Sequence, residues 1–157
     1  MHQNRKRNIE KARKLPYFSN RQCWNLDYYL ARYIAGGLHS FLRMKRYGVP
    51  NEYAERFPGD KLKRASEVWD EDIKKMLWAF EEIASDYKHD PHSIWFNKAY
   101  KETEAKGIDP FGIRDDNTME DNMPDMPKEV WEAHKEYGRK IREGTELFGK
   151  HFQSLWD

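Results

Sequence analysis

Three stretches of this chain carry bulky apolar side chains at the spacing of an α-helix, and no other feature limits the fold as strongly. At 100° per residue, Trp24, Tyr28, Ala31, Ile34, Ala35, Leu38, Phe41 and Leu42 fall in one arc of about 140°. Asn25 is the expected N-cap of that helix, and Gly48 followed by Pro50 is its expected stop. A second stripe joins Trp69, Ile73, Met76, Leu77, Phe80, Ile83, Ala84 and Tyr87, with Ser66 as cap and Glu67, Asp70, Glu71 and Asp72 near the positive end of the dipole. The third starts after Pro127 and carries Val130, Trp131, His134, Tyr137, Gly138, Ile141, Thr145, Phe148, Phe152, Leu155 and Trp156 on one face of a helix roughly 40 Å long. A shorter helix is predicted over 93–105, capped by Ser93 after the Asp90-Pro91 break. None of these stripes can be buried alone. The spacing therefore predicts an all-α fold, a bundle of three long helices (about 24–46, 66–88 and 128–156) with one or two short ones.

A chain of 157 residues is one domain. Charged residues make up 35% of it, which on aliphatics alone would suggest disorder, but six Trp, nine Tyr and eight Phe supply the area for a core. Residues 1–20 read as a basic tail and 21–157 as the helical domain. The first fifteen hold Arg5, Lys6, Arg7, Lys11, Arg13 and Lys14 against Glu10; residues 107–127, with three prolines, read as a long acidic loop. A single cysteine, Cys23, excludes an intramolecular disulfide and fits a reducing cytoplasm. No apolar run reaches membrane-spanning length, so no membrane association is expected.

Two polar residues sit on otherwise apolar stripes. Asp27 is either a first-turn carboxylate on free backbone N–H groups or one half of an Asp27–His134 pair across the bundle; His134 is either that partner or a satisfied boundary histidine. Trp78 points away from its stripe and offers an exposed ring for stacking. Neither His89-Asp90-Pro91-His92 nor the 115–121 acidic run has metal-ligand spacing. Glu81, Glu82 and Asp86, with Glu143 and Glu146, invite comparison with helical metal-dependent nucleotide hydrolases. Their angular positions, however, make them solvated surface. No phosphate loop or nucleophile elbow is present, so neither catalytic residues nor a cofactor nor a metal are expected. Of the helix-interior glycines Gly138, Gly144 and Gly149, Gly138 is the expected point of close helix approach, or else of a kink.

Taken together, WNLDYYLARYIAGGL, WDEDIKKMLWAFE and REGTELFGKHFQSLWD, over about residues 22–45, 66–83 and 141–157, resemble a widespread group of small bacteriophage-encoded proteins. The resemblance implies a phage origin and action in the cytoplasm of an infected bacterium; it implies no reaction. The expected function is a non-enzymatic accessory role, binding a host factor or sequestering a small phosphorylated or nucleotide ligand, in the manner of a counter-defence protein. Binding candidates are Asp27, His134, Trp78, Arg5, Lys6 and Arg7. Three alternatives stand beside this: nucleic-acid association through residues 1–15, a metal-dependent nucleotide hydrolase, and a virion or assembly component. Homo-oligomerisation through the last helix is open.

Overall fold

A computed structural model describes residues 19–58, 62–112 and 121–155. Arg5, Lys6 and Arg7, the centre of the acidic stretch and Trp156 lie outside the described residues. Within them the fold is all-α, as the spacing predicts: α1 (Asn20–Trp24), α2 (Leu26–Arg43), α3 (Asn51–Arg56), α4 (Leu62–Ala84), α5 (Pro91–Ala105) and α6 (Lys128–His151), which ends in a 3-10 turn over Phe152–Ser154.

The hub is α4. One side packs on α2, the other on α6, and α3 sits against it as well; the backbones of α2 and α6 do not approach each other, and among the described helices α5 packs on α6 only, with Phe111 of the following loop against its Phe96 and Tyr100. The stripe predicted for α4 explains this. Trp69, Ile73 and Met76 are fully buried, Phe80 nearly so, and Ala65 and Ala79 leave room for neighbours. From α2 come Ala31, Ala35, Leu38 and Phe41. The α6 stripe is covered less completely, and apart from Gly144 and His151 its residues are half-buried or exposed. An outer helix that touches the hub along one line cannot hide a whole face.

Several boundaries differ from those predicted. α1 and α2 are separate helices, broken at Asn25, whose side chain makes no capping bond; Ser19 is the capping residue, in a capping box with Gln22. Trp24 therefore lies off the α2 stripe and is 87% exposed. Trp131 is also largely exposed, so the three tryptophans heading the predicted stripes do not share one core, and Trp69 alone is central. Ser66 lies inside α4, not at its start. α2 ends at Arg43, ahead of the expected stop at Gly48 and Pro50, and Pro50 instead caps the start of α3, which carries the buried Tyr53.

α4 stops at Ala84, short of Tyr87, because Asp86 and Tyr87 take left-handed backbone (φ 58° and 55°). The Tyr87 N–H then donates to the Glu82 carbonyl (3.0 Å) and the Asp86 N–H to that of Ile83 (3.1 Å), a Schellman closure with aspartate where glycine is usual. α5 begins at Pro91 and is capped by Asp90, not Ser93.

Close approach of α4 and α6 occurs at Gly144, not Gly138. A Cβ at Gly144 would lie 2.5 Å from both the Ala79 Cβ and the Lys75 carbonyl oxygen, whereas one at Gly138 would meet nothing within 4 Å. α6 runs unbroken through Gly138.

Candidate functional site

Two polar assemblies flank the hub. The first lies where α4 ends, α5 begins and α6 passes. Glu82, expected on the solvated side, is only 7% exposed. Its carboxylate accepts from the Tyr137 hydroxyl (2.8 Å) and lies 3.0 Å from His89 Nδ1. Beside it, Asp90 meets His134 Nδ1 at 2.8 Å and accepts from the His92 N–H (3.1 Å) and the Ser93 hydroxyl (3.3 Å). Burial alone would push the Asp90 carboxyl up, but those three donors outweigh it and hold the group below its usual value. Burial, and then donation to Glu82, pushes the Tyr137 phenol well above its ordinary value. The His134 ring also meets those of His92 and Trp131, at 5.4 and 5.7 Å between centroids. His134 thus has an aspartate partner, but the partner is Asp90. Asp27 is exposed in the first turn of α2, the first of its two readings, and the alternative pair with His134 across the bundle does not form.

Trp78 is likewise no free stacking platform. It is half-buried, edge-on to Tyr137 at 5.6 Å. The acidic pairs do not converge either. Glu81 and Glu146 are exposed, Glu82 is engaged as above, and Glu143 faces Lys75 (2.9 Å) and Arg139 (3.0 Å), which together lower its pKa against the effect of burial. Among the described residues, no three His, Cys, Asp or Glu side chains gather closely enough to hold a metal ion.

The second assembly joins α3, α4 and α6. Tyr53, Trp69 and His151 pack ring against ring at 4.9–5.4 Å. The Tyr53 hydroxyl donates to Asp72 (2.7 Å) and lies 3.2 Å from His151 Nε2. Burial, with Lys150 next to it, pushes the His151 pKa down. Neither Tyr53 nor His151 is among the sequence candidates. The signal for His151 was available, since it follows Phe148 by three residues and Gly144 by seven on the same face.

One flank of α2, next to the face buried on α4, departs from an ordinary amphipathic helix. Leu26, Leu30, Tyr33, Gly37 and Met44 fall within about 60° of one another on a helical projection. Leu26 and Leu30 are partly exposed, Met44 is about half-exposed, and Tyr33 is 74% exposed. The stripe borders a groove of about 400 Å³ whose far wall is Phe148, Phe152 and Leu155 at the end of α6. Arg32 and Arg43, both exposed and three turns apart, lie on another side of α2, about 80–100° from the nearest edge of the stripe, and Arg32 sits over the Tyr28 ring at 5.7 Å. This belongs to a wider asymmetry: residues 1–48 hold eleven Lys and Arg against Glu10 and Asp27, although the whole chain carries only +1.

Compared with protein families, characterised proteins and solved structures, the chain matches none. No described helix is long and apolar enough to cross a membrane.

Proposed function

We propose that this protein is a non-catalytic phage accessory protein that binds a host protein through the exposed apolar flank of α2. The observation that carries the reading is that stripe. A helix that already buries Ala31, Ala35, Leu38 and Phe41 against α4 also presents Leu26, Leu30, Tyr33 and Met44 to water, continuous with an apolar groove. The basic excess of residues 1–48, eleven Lys and Arg against Glu10 and Asp27, commits the occupant to an acidic amphipathic helix with its apolar face in the groove. A second copy would set this same basic region against itself, and the +5 tail of the same chain carries the wrong sign. Action against a bacterial defence component is the role that the resemblance to phage proteins supports.

The test is recovery of the tagged protein from infected cells, with Leu30→Glu/Tyr33→Glu in parallel. The expected partner is held by the wild type, lost from the variant, released by salt, and mapped to an acidic helical segment. An unchanged set of bound proteins would overturn the reading. So would dimerisation through this face, or tight binding of single-stranded oligonucleotides, which would favour the nucleic-acid alternative.

A further inference from the structure

The contact between Asp90 and His134 fixes which ring nitrogen of His134 is free. The Asp90 carboxylate is buried, ionised in all but strong acid, and locked as the cap of α5 by the His92 N–H and the Ser93 hydroxyl. An ionised carboxylate only accepts, so His134 Nδ1, 2.8 Å away, is the donor and carries a proton. In the neutral ring the lone pair is then on Nε2. Nε2 makes no hydrogen bond to the described residues. It is not buried either, because among those residues Arg46 Nη1 alone is a buried side-chain polar atom without a partner. Nε2 therefore faces solvent, in keeping with the 37% exposure of the His134 side chain.

The helix keeps that edge of the ring clear. Side chains on a helix lean toward its N-terminus, so the residue four positions further on is the one that would cover His134. That residue is Gly138, and even a Cβ built there would meet nothing within 4 Å. Trp131 borders the ring at 5.7 Å, and the exposed Lys135, paired with Glu132 at 3.5 Å, stands over the Trp131 ring at 5.2 Å. An imidazole oriented by a buried carboxylate, with a bare nucleophilic nitrogen, is prepared to bond to an electrophile carried by another molecule. Phosphorus is the electrophile whose product suits these surroundings, since the ring becomes positive beside Asp90 and the phosphoryl oxygens negative near Lys135.

We propose that His134 is a phosphoryl-acceptor site, its Nε2 taking the group from a phosphohistidine-type donor on another protein. The Nε2 lone pair attacks phosphorus and the P–N bond of the donor breaks. Its electron pair leaves with the donor imidazole, which departs neutral because its second nitrogen already carries a proton. The new P–Nε2 bond leaves a positive charge on the His134 ring, held by donation from Nδ1–H to Asp90. A donor imidazole without such a carboxylate gives up the group to one that has it. His89 is the rival, with Nδ1 3.0 Å from Glu82, but that carboxylate is shared with the Tyr137 hydroxyl and His89 stands in a turn. Nothing in this depends on the α2 groove.

N-phosphoimidazole, which carries the reacting bond of phosphohistidine, tests the site on the full-length protein in mildly alkaline solution. Mass spectrometry without acid and phosphorus NMR should find the group on His134 Nε2, attached about tenfold faster or more than on His39, the exposed histidine of α2. Ring-nitrogen NMR shifts should place the proton of the unmodified neutral ring on Nδ1. Asp90→Asn keeps a capping side chain and removes the charge, so it should slow His134 about tenfold while His39 is unchanged. Gly138→Leu, which covers the ring, should slow it as well. The proposal is overturned if His134 reacts no faster than His39, if the label settles on His89 or on Nδ1, or if Asp90→Asn reacts at the wild-type rate. The wild-type comparison of His134 with His39 decides even where a variant fails to fold.

Discussion

At the scale of single residues, burial and pairing fix protonation states that should be visible in the pH dependence of stability. His151 has a folded pKa below its usual 6.5, so the neutral ring adds stability above that pH, and the contribution is lost as pH falls through 6.5. Asp90, held below 3.8, adds stability that is lost only in stronger acid. The raised phenols of Tyr53 and Tyr137 add stability that fails above pH 10, as each is forced to ionise. Urea midpoints should therefore form a plateau between about pH 7 and 10 and decline on both sides. A midpoint that rises on acidification from pH 7 to 5.5 would contradict the assignment of His151. A second prediction concerns the turn after α4. Asp86 holds a left-handed conformation that costs a side chain about 1 kcal/mol relative to glycine. Asp86→Gly should accordingly raise stability by up to that amount, read from the same urea curves.

At the scale of elements, glycine sorts by position. Gly144→Ala should destabilise by about 2–3 kcal/mol, since its new methyl meets Lys75 backbone that cannot retreat; Gly138→Ala and Gly149→Ala should stabilise by up to about 1 kcal/mol. Thermal denaturation of the three variants checks the order, and equal effects would show that α4 and α6 are not in close contact. Helical spacing alone could not tell these glycines apart, because it gives the face of a residue and not the distance to the neighbouring helix. The long helices were legible for the same reason, being strongly periodic over many turns. Their ends were not. The break at Asn25 has no glycine or proline to announce it, and the stop at Asp86 and Tyr87 uses residues that seldom adopt positive φ. The candidate sites fared less well. His134 was visible as a polar residue on an apolar stripe, but its partner Asp90 was hidden in the role of a cap. Glu82 was misplaced because a projection of α4 alone shows the face against α2 and not the second face against α6. The Asp90-Pro91 pair could have named the α5 cap directly, as proline at the first helical position commonly follows one.

At the scale of the molecule, stability should be uneven. Among the described helices α5 packs on α6 only, and Asp90 is both its cap and its tie to His134. In Asp90→Ala, amide exchange along α5 should accelerate about tenfold or more, equivalent to losing roughly 1–2 kcal/mol of local stability, while α4 keeps its protection. Uniform acceleration would mean that α5 is integral to one cooperative unit. The placement of α4 has its own consequence. α2 and α3 are both anchored to a helix that belongs to the other part of the chain, and the two outer long helices owe their mutual position to it. A polypeptide severed between residues 58 and 62 would leave an amino-terminal piece with no interior of its own and a carboxy-terminal piece with half its ridge uncovered. Supplied separately, those halves have complementary reasons to find each other, so the protein should reconstitute from two fragments, more completely as their concentration rises.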